Sequence, residues 1–544
     1  MRYSIMGVLA VRVLFCGLPL HAQMGMWTWI AGDSICNPPG NFGVQGTASP
    51  LNTPPGVYMP YNWIDHQGNF WIYGGRNYST GYPFYGDLWK FDVQLEQWIW
   101  IKGNAQSNVP PVFGIKGVPD PANIPGSAGF SSPTWVDANG DLWLFVGGAW
   151  GGDRNNLWKY HIATNEWTWM TGATTVFQQG IYGTTGVSSP SNTPGAREYT
   201  NCSLIDTAGN FWLFGGLQNM NPGTGYRNDL WKYDPSINEW TWMMGADTSS
   251  QYGVYGVKGV PDPLNMPGAH GSSCKWTDAA GNFWMMGGAG CGASAVGYMD
   301  DVWRLNPNTL VWTWMGGSNN PNAPVVYGSL CDENMLNTPG EMSSNTACAQ
   351  DSSNNFWVSG GFSYLSNDLW HYNIVTNQWA RIAGDSMAFA QPVYGIKGVP
   401  GPLNHPRGKA GAVSWYSNGN YWLFGGSINI GGLCSYNDMW KFTFDTACSF
   451  LTGTGIAPAG SNNEQLNLFP NPNAGVFTVT LPGGNAGKVN TEVFDIPGKR
   501  LFYSQDNSSA TQIKITLPRI SEGMYIIRVT VNGKTFSSCF IIQR

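Results

Sequence analysis

Charged residues are scarce in this chain, and no long run of either sign occurs. Its 544 residues include only 27 Lys and Arg and 33 Asp and Glu, which leaves a net charge of −6. A nucleic-acid-binding protein would show a basic stripe and a high pI, so the composition argues against that class. It also argues against disorder, because disordered chains lack aromatic residues, whereas this chain contains 28 Trp, 24 Tyr and 25 Phe.

Several motifs that indicate particular chemistry are also absent. No C-x-x-C pair suggests a zinc cluster, and no G-x-S-x-G, H-E-x-x-H or P-loop sequence occurs. Beyond the N-terminal segment, no apolar run reaches the roughly 18 residues of a membrane helix. We therefore predict no metal, no cofactor and no transmembrane helix in the mature chain.

The first 22 residues have the pattern of a signal peptide. Arg2 provides a positive start, an apolar stretch runs from residue 5 to residue 20, and Ala22 precedes the predicted cleavage point. An exported chain reaches an oxidising compartment, in which disulfides form. Removal of this segment leaves nine cysteines, so at least one thiol is free or pairs outside the chain.

A repeat of about 70 residues fills most of the chain. In the third copy an aromatic segment, 209–214, ends at Gly215-Gly216, and two aromatic segments follow at 229–233 and 238–242. Alternating large apolar and polar residues between Gly, Asn and Asp turns predict four antiparallel strands in each copy. Six Gly-Gly pairs mark the copies: Gly74-Gly75, Gly147-Gly148, Gly215-Gly216, Gly287-Gly288, Gly360-Gly361 and Gly425-Gly426.

The sixth copy lacks its fourth strand, and the missing pattern occurs near the N-terminus. Residues 26–32 read Met-Trp-Thr-Trp-Ile-Ala-Gly, like the fourth strands elsewhere. Sheets that stack radially cover each other's faces and leave only short edges. We therefore predict an all-β fold, a six-bladed β-propeller that the N-terminal strand closes.

These features resemble the kelch repeat. The resemblance rests on the Gly-Gly pair, on a later aromatic pair such as Trp231 and Tyr233, and on a closing Trp such as Trp240. It covers about residues 24–450 and implies a kelch-type propeller. It implies no particular chemistry, because one fold supports many functions.

A second repeat connects the copies, as in 255–268, which reads Tyr-Gly-Val-Lys-Gly-Val-Pro-Asp-Pro-Leu-Asn-Met-Pro-Gly. These connecting segments and the loops between second and third strands are predicted to emerge on one face, the loop face. The opposite turn face carries only tight turns, such as 208–210. Because binding sites concentrate on variable loops that a rigid scaffold holds, we place any site on the loop face.

The residues that follow Pro-Gly in the connecting segments are the candidate site. Arg and His side chains there would contact an anionic or hydroxylated ligand, and Tyr58 would provide a stacking surface. The alternative is the ordinary polar lining of a solvated channel. The candidate ligand-binding residues are Tyr58, Arg197, Glu198, His270, Glu341, His405, Arg407 and Lys409.

Aromatic residues in the second-to-third loops, such as Tyr78, Tyr82 and Trp150, could stack on sugar rings or anchor a protein partner. They could equally pack over the connecting segments. An Asp recurs before the third strand, as at Asp87 and Asp229. Its recurrence predicts a structural role, in which the carboxylate caps backbone N–H groups.

Two kelch enzyme classes provide an alternative function. Galactose-oxidase-like members use copper held by Tyr and His, but here only His270 and His405 reach the loop face. Another class acts on sialic acid by acid–base chemistry, which Arg197, Glu198 and His270 could imitate. We assign no catalytic residue. Cys202 and Cys274 take equivalent positions in neighbouring copies, which predicts a bridge between them or two buried thiols.

After residue 450 the composition changes, and residues 451–463 have the Gly, Ser, Ala and Asn content of a linker. Alternating strands, such as 475–479 and 523–529, predict an all-β sandwich over 464–544. The segment resembles the type A sorting domain of the type IX secretion system of Bacteroidota. The residues that match are Pro470, Asn471, Pro472, Asp495, Gly498, Gly523 and Tyr525.

The predicted organisation is therefore a signal peptide (1–22), a propeller (23–450), a linker (451–463) and a sorting domain (464–544). The sorting-domain resemblance implies export by the type IX machinery, followed by release or anchoring at the outer surface. We predict a secreted or cell-surface binding or adhesion protein whose loop face engages a glycan or a protein. The alternative is a carbohydrate-active kelch enzyme with its site at the channel mouth.

Overall fold

The computed structural model divides the chain into two compact units, Met1–Cys448 and Ser449–Arg544. All regular structure in the described residues is β-strand, and no helix among them is long and apolar enough to span a membrane. The predicted signal peptide lies outside the described residues. The structure describes residues 23–79, 81–130, 133–200, 202–219, 224–342, 346–361, 365–428, 434–445, 467–469, 475–480, 488–494, 500–507, 512–517, 521, 523–531 and 534–542.

Among its described residues the first unit contains six antiparallel sheets of four or five strands and one two-stranded hairpin; the N-terminal strand is β1 (Gly25–Ala31). Sheet 1 contains β2 (Tyr61–Ile64), β3 (Phe70–Tyr73), β4 (Leu88–Asp92) and β5 (Gln97–Lys102). Sheet 2 contains β6 (Thr134–Val136), β7 (Leu142–Val146), β8 (Asn156–His161) and β9 (Glu166–Thr171). Sheet 3 contains β10 (Cys202–Ile205), β11 (Phe211–Phe214), β14 (Leu230–Asp234) and β15 (Glu239–Met244), and a small hairpin of β12 (Leu217–Gln218) and β13 (Gly225–Tyr226) lies between its second and third strands.

The remaining three sheets follow the same order. Sheet 4 contains β16 (His270–Gly271), β17 (Cys274–Thr277), β18 (Phe283–Cys291), β19 (Val296–Asn306) and β20 (Val311–Gly316). Sheet 5 contains β21 (Ala347–Gln350), β22 (Phe356–Ser359), β23 (Leu369–Asn373) and β24 (Gln378–Ala383). Sheet 6 contains β25 (Ala410–Ser417), β26 (Asn420–Ile428), β27 (Cys434–Ser435) and β28 (Met439–Phe444).

The N-terminal strand β1 pairs antiparallel with β28 and so becomes the outer strand of sheet 6. Trp27 lies opposite Phe442, and Trp29 lies opposite Trp440. A disulfide between Cys36 and Cys434 joins the same two parts of the chain across 398 residues. A crosslink that closes so long a loop restricts the unfolded chain and contributes on the order of 5 kcal/mol to stability.

Neighbouring sheets pack through their large aromatic side chains. Clusters of buried apolar residues are shared by sheets 1 and 2, 2 and 3, 3 and 4, 4 and 5, and by sheets 6 and 1. Sheets 5 and 6 meet where Trp357 contacts the rings of Tyr421 and Phe444. Indole N–H groups on first strands also cross between sheets: Trp63 donates to the Trp143 carbonyl at 2.9 Å, and Trp415 to the Trp63 carbonyl at 2.9 Å.

An Asp shapes the turn between the first and second strands in five of the six sheets. In sheet 3, Asp206 Oδ1 accepts the backbone N–H groups of Ala208 and Asn210, and its Oδ2 accepts the indole N–H of Trp212 at 2.9 Å. Such local side-chain hydrogen bonds satisfy backbone groups that a tight turn leaves unpaired. The equivalent residues are Asp65, Asp137, Asp278 and Asp351.

The connecting segments lie along the outer strands of the sheets that they precede. In each segment a buried Asn donates its side-chain N–H to the carbonyl of an outer-strand Trp, as Asn123 does to Trp167 at 2.9 Å. In the same segment Gly117 donates its backbone N–H to the Trp169 carbonyl at 2.8 Å. An uncovered outer strand would invite edge-to-edge pairing with other chains. The segments therefore protect the sheet edges, a role that the repeat pattern alone did not reveal.

The second unit contains two antiparallel sheets with a common set of buried apolar residues. Its strands are β29 (Asn467–Phe469), β30 (Val476–Thr480), β31 (Lys488–Phe494), β32 (Arg500–Asn507), β33 (Gln512–Thr516), β34 (Gly523–Val531) and β35 (Lys534–Ile542). One sheet has the order β29-β30-β33 and the other β32-β31-β34-β35. Residues such as Phe477, Val493 and Ile527 form the shared core.

Of the predicted sorting-motif residues, Gly523 begins β34, and Tyr525 is buried on the same strand. The Tyr525 hydroxyl donates to the Ser521 carbonyl at 2.7 Å. Pro470, Asn471, Pro472, Asp495 and Gly498 lie outside the described residues.

The indole bond between sheets 6 and 1 is open to a direct test. Trp415→Phe leaves the buried Trp63 carbonyl without its donor, which is expected to lower the free energy of unfolding by about 1–3 kcal/mol in denaturant titration. Trp100→Phe is the matched control, because Trp100 is half-buried and its indole donates at 3.2 Å to the Lys102 carbonyl of its own strand, not to another sheet. Equal losses in the two variants would contradict a role for the bond between sheets.

Candidate functional site

We call the residue that joins each connecting segment to the first strand of the following sheet the lead-in position. It lies five residues after the buried Asn of that segment. Backbone bonds identify it: Gly216 N–H donates to the His270 carbonyl, Gly75 to Ala128, and Gly426 to Val57. The grouping of Tyr58 with Arg197, His270 and Lys409 at one equivalent position is therefore wrong by one residue. Because the first segment reads Pro-Pro-Gly, its lead-in residue is Val57, and Tyr58 occupies the next position, as Glu198 does in sheet 3.

Arg197, at the lead-in position of sheet 3, is buried with a carboxylate partner from the same sheet. Its two terminal nitrogens lie 2.7 and 2.9 Å from the oxygens of Asp229, and it also donates to the Gly195 and Gly215 carbonyls at 3.0 Å. Burial alone would raise the pKa of Asp229, but the charge of Arg197 and the surrounding hydrogen bonds lower it below its usual value. Tyr182 and Trp231 each donate to the same carboxylate at 2.8 Å.

The lead-in residues of sheets 4 and 6 have the same kind of neighbour. Lys409 Nζ lies 2.7 Å from Asp438 Oδ1, and both side chains are almost fully buried. His270 Nε2 lies 3.7 Å from Asp301 Oδ1, also buried. In both sheets a Trp indole and a Tyr hydroxyl complete the carboxylate's contacts.

These contacts favour a structural role for Arg197, His270 and Lys409, because their side chains face carboxylates inside their own sheets. Contact of these three residues with a ligand stays a prediction. The recurring Asp was expected to cap backbone N–H groups. Asp87 and Asp368 do cap such groups, whereas Asp229 and Asp438 form buried ion pairs.

Where the lead-in residue is apolar, the third-strand partner varies: sheets 1 and 5 keep an Asp, and sheet 2 does not. Sheet 2 has Ala128 at the lead-in position and the neutral Asn156 in place of the Asp. Sheet 1 combines Val57 with Asp87, and burial raises the pKa of Asp87 to about 6. The folded protein therefore holds the Asp87 proton more tightly than the unfolded chain does.

The mouth cluster lies at the loop-face end of the first strands and consists of Tyr58, Tyr78, Phe84, Phe130 and Tyr199. Ring centroids are 5.0 Å apart between Tyr58 and Tyr78, and 5.3 Å apart between Phe130 and Tyr199. Tyr58 is 4% exposed and Phe130 is 9% exposed, so most of this aromatic surface packs internally. Offset contacts at these distances stabilise such clusters beyond their buried area.

Arg76 projects into the mouth cluster. Its guanidinium carbon lies 5.1 Å from the Phe130 ring centroid and 5.2 Å from those of Tyr82 and Phe84, within cation–π range. The sequence reasoning missed Arg76. A signal was present, because Arg76 is the only basic residue directly after a Gly-Gly pair in the six copies.

Glu198 lies beside a second carboxyl group. Asn219 donates to Glu198 Oε1 at 2.7 Å and to Asp153 Oδ2 at 3.2 Å, so one exposed amide bridges the two acids. Burial, followed by the charge of Asp153, raises the pKa of Glu198 to about 7. Burial raises the pKa of Asp153 to about 6. Such shifted carboxyl groups concentrate at functional sites.

The remaining predicted site residues lie apart from this pair. His405 Nδ1 is 3.0 Å from the Asn367 amide nitrogen, and Arg407 donates to Gln391 at 2.8 Å. Glu341 borders a separate cavity of about 30 Å³. In the part of the chain that the structure describes, no three His, Cys, Asp or Glu side chains gather as ligands for a metal ion.

The predicted Cys202–Cys274 bridge is wrong, since Cys274 bonds Cys348 of sheet 5. The physical reason is the direction of the side chain. Trp276, two residues along β17 and on the same face, donates to the Ala349 carbonyl in sheet 5 at 3.2 Å. Cys274 therefore also points to sheet 5, away from the strand that carries Cys202.

A family model described as a secretion system C-terminal sorting domain matches residues 467–543. The chain therefore carries the sorting signal of type IX secretion and is directed to the cell surface or secreted. No curated protein matches the chain.

Two solved structures are among those similar to the chain. The protein YjhT has 14% identity and a TM-score of 0.41, with 72% of this chain and 97% of that chain covered. A protein of unknown function from Bacteroides thetaiotaomicron VPI-5482 has 12% identity and a TM-score of 0.41, with 77% of this chain and 76% of that chain covered. Likenesses this weak carry no argument about function.

Replacement of a buried Asp by Asn is expected to change the free energy of unfolding in opposite directions at Asp87 and at Asp229. Asp87→Asn is expected to raise the free energy of unfolding at pH 7 by on the order of 2 kcal/mol, because it removes an ionised group whose pKa burial raises. The stability that the Asp87 proton provides is complete below about pH 4 and is lost as the pH rises through about 6, so the gain vanishes at pH 4.

Asp229→Asn is the matched comparison. It leaves the buried Arg197 charge without its partner and is expected to cost about 3–5 kcal/mol at pH 7. Denaturant titrations at pH 4 and pH 7 measure both effects. The same sign of change in the two variants at pH 7 would show that the lead-in residue does not determine the role of the Asp.

The sorting-domain match predicts the fate of a truncated chain. A chain that ends at residue 463 is expected to stay in the periplasm of a type IX-competent host, whereas the full chain reaches the surface or the medium. Fractionation and immunoblotting measure this, with full-length Asp87→Asn as an exported control. Export of the truncated chain at the full-length level would contradict the assignment.

Proposed function

We propose that the six sheets are the blades of a six-bladed, kelch-type propeller (residues 23–450), which the N-terminal strand closes after removal of a signal peptide. The pairing of β1 with β28 supports closure, as does the packing of sheet 6 on both sheet 5 and sheet 1. First strands from all six sheets also line one central cavity. Residues 464–544 then serve as the exported chain's sorting domain.

We further propose that this propeller is a surface binding module, whose loop face engages a glycan. The observation that carries the proposal is the carboxyl pair of Glu198 and Asp153, on a loop face whose second-to-third loops also carry exposed aromatic rings. Tyr82 is 44% exposed and Trp150 is 43% exposed. Sugar sites combine such aromatic faces, which stack on the ring, with carboxyl and amide groups that bond the hydroxyls. Glu198, Asp153 and Asn219 provide those polar groups.

A protein is the alternative ligand for this face, because exposed aromatic side chains would also anchor a protein partner. An enzyme that acts on carbohydrate is the second candidate function. One observation favours it: a carboxyl group with a pKa of about 7 is suited to general acid–base catalysis at neutral pH. Glu198 would then exchange the proton with the substrate, and burial together with the charge of Asp153 would keep the pKa of Glu198 high.

A glycan array probed with the full chain tests the binding proposal. We expect a competable ligand, with Tyr82→Ala and Glu198→Gln each weakening its binding by about tenfold or more. Tyr252→Ala is the matched control, because Tyr252 is a similarly exposed Tyr (53%) in a connecting segment. An array without competable ligands would contradict the glycan proposal, and turnover of the bound sugar would favour the enzyme.

The pKa of Glu198 also predicts how glycan affinity depends on pH. An uncharged ligand that excludes water from the site favours the neutral carboxyl, so affinity is expected to fall as the pH rises through about 7. Titrations between pH 5.5 and 8.5 measure this dependence, and Glu198→Gln is expected to remove it. A dependence that survives in Glu198→Gln would assign it to another group.

A further inference from the structure

A cavity in the described part of the first unit opens at the turn face, opposite the proposed glycan site. It has a volume of about 580 Å³, and the first strands of all six sheets form its wall. The strand registers assign equivalent wall positions to two rings of six residues each. The outer ring, at the strand ends, consists of Ile64, Val136, Ile205, Thr277, Gln350 and Tyr416.

The inner ring lies two residues earlier on each first strand, on the same strand face as the outer ring. Five of its members border a smaller cavity of about 110 Å³ further along the strands, and four of these five border both cavities, so this ring forms the neck between the two spaces. Lys275 is the only charged member, and its Nζ contacts Ser203 Oγ within the ring. The inner ring consists of Asn62, Thr134, Ser203, Lys275, Cys348 and Ser414.

One acidic residue, Asp351, also borders the cavity, but its carboxylate is engaged by the adjacent turn. Its Oδ1 accepts the backbone N–H groups of Ser353 and Asn355 at 2.9 Å, and its Oδ2 accepts the Trp357 indole at 3.0 Å. His371 lies 3.6 Å from the same carboxylate on its other side. The entrance is therefore apolar along sheets 1 to 3, where Ile64, Val136 and Ile205 lie, and polar along sheets 4 to 6. A single ammonium group lies among hydroxyls at the neck.

We propose that this cavity binds an organic monocarboxylate with an aliphatic body, of the medium-chain fatty-acid type. The carboxylate contacts Lys275 and the hydroxyls of Ser203 and Ser414, because a charged partner makes such hydrogen bonds strong. The aliphatic body lies against Ile64, Val136 and Ile205, where burial of each CH₂ is favourable. The single cation matches one negative charge, which favours a carboxylate over a phosphate dianion.

Octanoate is the probe, and the full chain is titrated by calorimetry and by the fluorescence of Trp63, Trp135, Trp276 and Trp415, which border the cavity. We expect saturable binding of octanoate, with octanol and octylamine binding at least about tenfold more weakly. Lys275→Met is expected to weaken octanoate binding about tenfold or more, and Lys275→Arg to retain it. Lys232→Met on β14 is the control and is expected to leave affinity unchanged.

A second pair of variants tests the proposal even if substitution of Lys275 prevents folding. Ile64 is 41% exposed at the entrance, so it accepts a charge without a buried penalty. Ile64→Glu is expected to weaken octanoate binding, and Ile64→Lys to preserve or strengthen it. Three results would overturn the proposal: no saturable octanoate binding, equal binding of octanol, or affinity that none of the Lys275 and Ile64 variants changes.

Discussion

A carboxylate at the start of the third strand, buried beneath the loop face, is the point at which a sheet's lead-in residue, third strand and connecting segment meet. Asp229 accepts hydrogen bonds from Arg197 at the lead-in position, from Trp231 on β14 and from Tyr182 of the connecting segment. An ionised group in such a place is tolerated only when each oxygen is bonded and the charge is compensated. This requirement determines which loop-face side chains are engaged inside the sheet and which can contact a ligand.

Because of this constraint, the residues that stabilise the sheet differ from the residues that can contact a ligand. The cations at the lead-in position point into their sheets, whereas the next residue points toward the mouth. Glu198 and Tyr58 occupy that next position, and the groups with exposed surface or shifted pKa values gather around them. The turn face is built differently. Its tight Asp turns carry no variable loops, and the first strands there form the wall of an open cavity.

Much of the fold could be predicted from the sequence because it depends on local, repeated patterns. Gly-Gly pairs and alternating aromatic residues indicate strands, and the displaced Trp strand indicated the pairing of β1 with β28. The site could be predicted less well, because side-chain direction depends on register, and an extra Pro before Gly56 shifted the equivalence of Tyr58 by one residue. No single repeat reveals the features that depend on contacts between distant loops or strands. These are the position of Arg76, the Asp153–Glu198 pair and the inner ring that contains Lys275.

The central claim is that Arg197 and Asp229 form an internal bond that organises the sheet. A double-mutant cycle with Arg197→Met and Asp229→Asn, read as the free energy of unfolding, tests it most directly. The account predicts a coupling of about 3 kcal/mol or more between the two sites. Effects that add within about 0.5 kcal/mol would show that the pair contributes no mutual stabilisation and would contradict the account.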